Sequence, residues 1–233
     1  MMKTFYFRTL LVICFAALMG LHGYAQKKKA EFNLSPYFSP GTAQVMPPDE
    51  DGFIRRWLLL EPIDKPNPSN TVFTDSYVRK VLATEYFPKQ FTKVPVDGEK
   101  VNVDKQKLVW HALESNLFNV KLFRFASNLD KQVYGVLFLA VTVIECQEDI
   151  PDVRMSVGSN SASMWWLNGE EAVVLTGDRR MVKDDCLSKR LILKKGKNIV
   201  RGAVINGPGM SDFCLRFLNG NGDPVKNITV SYK

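Results

Sequence analysis

Residues 157–169 read Val-Gly-Ser-Asn-Ser-Ala-Ser-Met-Trp-Trp-Leu-Asn-Gly and carry the strongest fold signal in the chain. The segment ends on Asn168-Gly169, and Asn-Gly is the best short signal for a two-residue hairpin turn because both turn positions take positive φ. Met164–Leu167 before this turn and Ala172–Thr176 after it have strand length and are rich in aromatic or β-branched residues. The sequence therefore predicts a β-hairpin here.

Similar apolar runs of strand length follow one another from Phe53 to the end of the chain, separated by turn residues. They predict further strands at Phe53–Leu60, Leu117–Phe125, Val133–Ile144, Val153–Val157, Leu187–Leu193, Asn198–Ile205, Phe213–Leu218 and Ile228–Tyr232. Only Asp75–Glu85 predicts a helix, with Asp75 as its N-cap. Many short strands with almost no helix predict an all-β fold, an antiparallel two-sheet β-sandwich or jelly roll.

Side-chain patterns within the runs predict which faces are buried. Val133–Ile144 has almost no polar residue, as expected of a central strand covered on both faces. Phe213–Leu218 alternates an apolar face with a mixed one, which predicts burial on one side. Trp165 and Trp166 must point to opposite faces of their strand, and we expect Trp166 to be the core anchor and Trp165 to face outward.

The N-terminal residues predict export. Lys3 and Arg8 precede the apolar run 9–21, and small residues stand at Gly23 and Ala25, which together have the three parts of a cleavable signal peptide at residues 1–25. A membrane anchor is the alternative, but the apolar run is shorter than the roughly 20 residues that a spanning helix needs. We therefore expect a secreted or periplasmic protein without stable membrane insertion.

Composition fits a folded exported domain. The 233 residues include 45% hydrophobic residues, with 31 Lys and Arg against 24 Asp and Glu, which excludes a disordered chain. Residues 26–51 are rich in Pro and Lys and predict a linker or an extended arm, and residues 52–233 form the predicted β-sandwich domain. The basic clusters predict solvated charge, because an exported protein rarely meets nucleic acid.

Catalytic and metal-binding patterns are missing from the sequence. After the predicted cleavage one histidine, His111, and three cysteines, Cys146, Cys186 and Cys214, remain, and no pair has CxxC spacing. We therefore predict no metal, no cofactor and no catalytic residue. Export makes disulfides possible, but apolar surroundings favour buried free thiols at Cys146 and Cys214.

Three segments together resemble a known family. Residues 52–63, Gly-Phe-Ile-Arg-Arg-Trp-Leu-Leu-Leu-Glu-Pro-Ile, resemble the opening strand of galactose-binding-domain-like β-sandwiches in exported bacterial glycan-processing proteins. Residues 157–169 resemble the hairpin of the same modules, and residues 191–200 resemble their "V-x-L-x-K-G-x-N-x-L" strand. The resemblance implies a carbohydrate-binding or structural partner of glycoside hydrolases and acetylxylan-type esterases.

The resemblance also directs the choice of ligand-binding residues. Asn160-Ser161 stands where the family often has Asp-Asp, so two carboxylates that calcium would prefer are missing. Trp165 is our predicted stacking platform for a sugar ring, and its alternative is packing against the second sheet or another protein. Asn160, Arg179 and Asp212 are predicted to recognise sugar hydroxyls.

The sequence is compatible with three functions. The leading prediction is a secreted, non-catalytic carbohydrate-binding or accessory module in polysaccharide degradation, whose partner is a plant or host glycan or a glycan-degrading enzyme. The second is a carbohydrate esterase or glycoside hydrolase that uses His111 in a site without a familiar motif. The third is a structural module of the cell envelope that docks another protein.

Overall fold

The computed structural model describes residues 33–67 and 69–233. The predicted signal peptide, residues 1–25, and residues 26–32 of the predicted arm lie outside the described residues. Within the described ranges, two antiparallel sheets pack face to face, which confirms the predicted all-β sandwich.

The larger sheet has ten strands in the described part of the chain. The strands are β1 (Phe38–Pro40), β2 (Arg56–Leu60), β3 (Ile63–Asp64), β4 (Lys100–Val103), β5 (Gln106–Ser115), β6 (Val136–Cys146), β8 (Ala162–Leu167), β9 (Glu170–Leu175), β12 (Gly196–Asn206) and β14 (Ile228–Ser231). Seven of them follow one another in the order β1-β5-β2-β6-β12-β8-β9, while β4 pairs with β5, and both β3 and β14 pair with β6. Central β6 is buried on both faces, as predicted.

The smaller sheet is built around one long strand, β7 (Ile150–Ser159). It pairs with β10 (Cys186–Leu187), β11 (Leu191–Leu193) and β13 (Phe213–Leu218). The prediction that Phe213–Leu218 is buried on one side only is wrong. The segment before β10 covers the outer face of this sheet, since Asp184 binds Arg216 and a Cβ on Gly158 would lie 1.9 Å from the Val182 carbonyl oxygen.

The structure has two α-helices in the described residues, one at a predicted position and one where a strand was predicted. Helix α1 (Asp75–Leu82) occupies the predicted position, but its N-cap is Thr74, whose Oγ1 accepts from the amide of Tyr77. Helix α2 (Leu122–Asn128) replaces the strand predicted at Leu117–Phe125. The strand prediction was wrong because the buried side chains of this segment, Leu122, Phe125 and Ala126, follow the helical spacing of three and four residues.

The described part of the predicted arm joins the larger sheet. Strand β1 pairs with the end of β5, and Met46 exchanges backbone hydrogen bonds of 3.2 and 2.7 Å with Val230. Buried Arg56 on β2 reinforces this junction, because its guanidinium donates to the carbonyl oxygens of Thr42 and Gln44 and lies 4.6 Å from the ring centre of Tyr232. Residues near both ends of the described chain therefore meet beside one strand.

The larger sheet buries side chains on both of its faces. The inner core lies between the two sheets and includes Trp57, Trp165 and Phe213. The outer core lies on the opposite face of the larger sheet, where α1 and the irregular segment that follows it cover Trp110 and Trp166. Side chains on both faces of the central strands β2, β6 and β8 are therefore buried.

The predicted orientation of the two adjacent tryptophans is wrong. Trp165 is fully buried in the inner core, where its ring centre lies 5.9 Å from that of Trp57 and 4.8 Å from that of Phe213. Trp166 points to the outer core and is 8% exposed, with Phe91 at 5.5 Å. The prediction that the two rings point to opposite faces is confirmed. Both rings are core residues because α1 and the irregular segment that follows it cover the outer face.

The three cysteines of the described chain are free thiols. Cys146 and Cys214 are buried, and burial raises the pKa of Cys214 to about 12. Both behave as small apolar residues. No helix of the described residues is long and apolar enough to cross a membrane.

Candidate functional site

One end of the sandwich brings polar side chains together. The turn at residues 160–161 joins β7 to β8, and the loop at residues 207–212 joins β12 to β13. The amide of Asn160 donates to the carbonyl oxygen of Asp212 over 2.9 Å, so the turn and the loop are in contact. We call this region the loop end.

Asp212 is the central side chain of the loop end and is 4% exposed. Its Oδ2 accepts hydrogen bonds from Asn119 Nδ2 at 2.7 Å and from Lys121 Nζ at 2.8 Å. Its Oδ1 is buried and has no partner among the described residues, and the same holds for the neighbouring hydroxyl of Ser211. A buried acceptor without a partner is costly, so Oδ1 would be stabilised by any hydrogen-bond donor that comes within reach.

Backbone pairing fixes the donors around Asp212. Val120 and Phe213 exchange hydrogen bonds of 2.7 and 3.2 Å, and the amide of Phe123 donates to the carbonyl oxygen of Ser211 over 3.0 Å. Asn119 and Lys121 flank Val120 in the chain, and both donate to the same carboxylate oxygen, Oδ2. This arrangement presents a preformed acceptor with two donors already in place.

An aromatic surface adjoins the loop. Tyr134 is 46% exposed, and its ring centre lies 5.9 Å from that of Phe123. Asn206 holds this segment against the loop, because its Nδ2 donates to the carbonyl oxygens of Val133 at 2.9 Å and Gly209 at 3.1 Å. The loop end thus combines an exposed ring with a partly unpaired carboxylate.

The other side of the loop is closed by Asn70. Its Nδ2 donates to Asp178 Oδ1 at 2.8 Å and to the carbonyl oxygen of Pro208 at 3.1 Å. Its Oδ1 is buried without a partner in the described chain, and it lies so close to Gly207 that a Cβ there would come within 2.3 Å. Only glycine fits at position 207 without displacing this amide.

The structure brings together two of the four predicted ligand-binding residues. Asn160 and Asp212 meet at the loop end, whereas the guanidinium of Arg179 is bound by Asp185 and by the carbonyl oxygen of Thr176. Trp165 offers no surface to a sugar because its ring is fully buried, so its predicted role as stacking platform rested on the wrong face. Tyr134 provides the exposed ring instead, and sequence reasoning had assigned it to the interior of a strand.

His111 is held in an ion-paired cluster. Its Nε2 lies 3.3 Å from Glu61 Oε1, and Lys131 Nζ lies 3.1 Å from Glu61 Oε2. Burial alone would raise the pKa of Glu61, but hydrogen bonds from His111 and Lys131 and their charges lower it below its usual value of 4.5. No serine or cysteine of the described residues hydrogen-bonds to this histidine, whose side-chain partner is Glu61.

A second concave surface lies at the opposite end of β8, beside the Asn168-Gly169 turn. It has a volume of about 340 Å³ and includes Ile192 and Lys194. Three of its polar side chains already have protein partners, since Lys194 pairs with Asp149, Arg190 pairs with Asp152, and Asn168 bonds to Asn198 and to the amide of Ile199. The loop end is therefore the better candidate for ligand recognition.

No group of three or more metal-ligating side chains occurs within residues 33–67 and 69–233. No family model matches the chain, and no curated protein matches it.

Solved structures show distant similarity. The PA14 sugar-binding domain of an RTX adhesin is 12% identical, with a TM-score of 0.43 over 75% of this chain and 96% of that domain. The PA14 domain of the MpAFP antifreeze protein is 8% identical, with a TM-score of 0.40 over 75% of this chain and 89% of that one. A β-glucosidase from Kluyveromyces marxianus is 23% identical, with a TM-score of 0.35 over 56% of this chain and 16% of the enzyme. All three TM-scores are below 0.5, so the function has to be derived from the residues of this chain.

Proposed function

We propose that this protein is a secreted, non-catalytic carbohydrate-binding module that acts as an accessory in polysaccharide degradation. The proposal rests on two features of the loop end: Tyr134 is exposed beside Phe123, and Oδ1 of buried Asp212 has no partner in the described chain. Export is the expectation from residues 1–25, and the galactose-binding-like subclass is the expectation from the resemblance of residues 52–63, 157–169 and 191–200.

The chemistry of the loop end suits a sugar. The C–H face of a sugar ring packs on an aromatic face, while its hydroxyls need acceptors and donors at fixed positions. Asp212 supplies a carboxylate acceptor whose orientation is fixed by the hydrogen bonds of Asn119 and Lys121 to Oδ2, and the partly exposed Lys121 ammonium supplies further donors. Preorganised groups of this kind reduce the entropic cost of binding.

A sugar hydroxyl would also relieve a defect of the free protein. Asp212 Oδ1 and Ser211 Oγ are buried without partners in the described chain, and a hydroxyl that donates to the carboxylate would satisfy the first of them. A charged acceptor makes a stronger hydrogen bond than a neutral one. The proposal therefore predicts that binding is sensitive to the charge at position 212.

The test is a glycan-array screen of the purified protein, followed by calorimetric titration of any glycan that binds. Tyr134→Ala should weaken binding at least about tenfold, which corresponds to the loss of roughly 1.4 kcal/mol of aromatic contact. Tyr134→Phe keeps the ring and should retain most of the affinity. Asp212→Asn keeps the shape but removes the charge and should also weaken binding.

Ile192→Ala is the matched control, because Ile192 is 44% exposed and lies at the opposite end of the sandwich. It should leave binding unchanged. A folded protein that binds no plant or host glycan would contradict the proposal. That result would favour the alternative function, in which the aromatic surface at Tyr134 docks another envelope protein. Binding that survives both Tyr134→Ala and Asp212→Asn would place the site elsewhere.

A further inference from the structure

Arg201 is a buried cation on the outer face of the larger sheet. It lies on β12 between Val141 of β6 and Trp166 of β8, and it is 6% exposed. Its Nη2 donates to the carbonyl oxygen of Lys93 at 3.0 Å, and its Nε is buried with no partner in the described chain. Within residues 33–67 and 69–233, no carboxylate forms an ion pair with this guanidinium.

A second unpartnered donor lines the same cavity. Arg201 and Trp110 both border a small cavity together with Gln90, Phe91 and Trp166. The indole Nε1 of Trp110 is buried and has no partner in the described residues. The space open to the centre of a water-sized sphere is about 10 Å³, which is about the room that one water molecule needs.

Gln90, which also lines the cavity, is held by hydrogen bonds to neighbouring backbone groups. Gln90 Oε1 accepts from the amide of Tyr86 at 2.8 Å, and its Nε2 donates to the carbonyl oxygen of Thr84 at 3.1 Å. Both polar atoms of the Gln90 amide therefore have partners, and neither is hydrogen-bonded to Arg201. The cavity therefore presents donors and aromatic rings.

We propose that this cavity binds one small monovalent anion of halide size, held by the Arg201 guanidinium and the Trp110 indole N–H. A guanidinium stays protonated in proteins, and a buried charge without a counter-charge strongly disfavours folding. Burial also lowers the pKa of Arg201, and no acidic group offsets that effect. Water would fill the same space, but it would leave the charge uncompensated. The site is independent of the loop end and of its sugar.

Tryptophan fluorescence provides the direct test. All four tryptophans are at most 8% exposed, so a dissolved ion reaches them poorly by collision, whereas bromide bound in the cavity would touch two rings. Bromide titrated against gluconate at constant ionic strength should quench the emission with saturation, and chloride should compete. Replacing gluconate by saturating chloride should raise the Tm by about 3 °C.

Variants separate the site from a general salt effect. Arg201→Met keeps the length of the side chain and should abolish both the saturable quenching and the chloride-dependent Tm shift. Trp110→Phe keeps a ring, removes the N–H and should weaken the chloride response several-fold. Arg190→Met removes an exposed arginine and should behave like the unchanged protein.

Two outcomes would overturn the anion site. One is a folded protein whose Tm and fluorescence are the same in chloride, bromide and gluconate, which would indicate a water-filled cavity. The other is a halide response that Arg201→Met retains. Stabilisation by acetate without stabilisation by chloride would contradict the halide size.

Discussion

The two faces of the larger sheet are covered in different ways. Strands of the smaller sheet cover the inner face, whereas α1 and an irregular segment cover the outer face. Trp165 and Trp166 are neighbours in sequence, yet each enters a different core. The comparison teaches that alternation along a strand decides which face a residue takes, while the chain above that face decides whether it is buried.

The quality of packing also differs between the two faces. Trp165 contacts two aromatic rings, and its Nε1 donates to Ser163 Oγ at 3.0 Å. The outer face contains the cavity beside Trp166 and the unpartnered donors of Trp110 and Arg201. The inner face of β6 has one unpartnered buried polar atom, Thr142 Oγ1, in the described chain. The strands of the smaller sheet therefore leave fewer unpartnered donors and acceptors than the irregular segment does.

Trp165→Ala should have the largest effect on stability. Removing a fully buried indole from the middle of the inner core should reduce the free energy of unfolding by about 5 kcal/mol. Urea denaturation followed by circular dichroism measures this change. A loss no greater than that of Trp166→Ala would contradict the difference between the two faces.

Trp166→Ala should cost about 3 kcal/mol, the lower end for a tryptophan, because the irregular cover can partly collapse into the space. Hydrogen exchange should increase mainly in residues 84–98, the segment above this ring. If hydrogen exchange increased equally in the strands of the inner core, the segment over the outer face would not unfold separately from the sandwich.

Gly202→Ala tests how tightly the inner face is packed. A Cβ at position 202 would lie 2.2 Å from a ring carbon of Trp165, so the substitution should cost about 2 kcal/mol through overpacking. In a Trp165→Leu background the same substitution should cost much less, since the clashing ring is gone. Additive losses in denaturant titrations would argue against this contact.

The outer cover of the smaller sheet should respond weakly to pH. Burial by itself would raise the pKa of Asp184, but hydrogen bonds from Arg216 and Ser156 and the charge of Arg216 lower it below its usual 3.8. This stabilisation is complete above about pH 3.8 and is lost as the pH falls through the lower folded-state pKa.

Asp184→Asn should therefore reduce the free energy of unfolding at pH 7 by no more than about 1 kcal/mol. The difference in stability between this variant and the unchanged protein should become smaller toward pH 3. Thermal unfolding across this pH range measures the difference. Asp185→Asn is the control, and an equal pH dependence in that variant would remove the special role of Asp184.

Sequence patterns predicted most of the sandwich. Phe213–Leu218 was predicted with its observed bounds, and β6 was identified as the central strand. Strand β5 was missed because lysine, glutamine and glutamate interrupt its apolar pattern, and its pairing with β2 stabilises it regardless. Local patterns do not reveal such long-range partners.

The candidate site was only partly accessible from sequence. Asp212 and Asn160 were predicted from their positions beside the hairpin, and the structure brings them into contact. Asn119 and Lys121 reach Asp212 through a pairing between distant segments, for which the sequence offers no local signal. Tyr134 was missed because an aromatic residue at the edge of an apolar run is usually interior.

The junction between Met46 and Val230 has a kinetic consequence. These residues lie near opposite ends of the described chain, yet they exchange two backbone hydrogen bonds, and Arg56 ties the same two segments together. Contacts between residues so distant in sequence slow folding, because a long loop must close before the contact stabilises anything. Refolding of this domain should therefore be slow for its size, with late closure of the edge where the two segments meet.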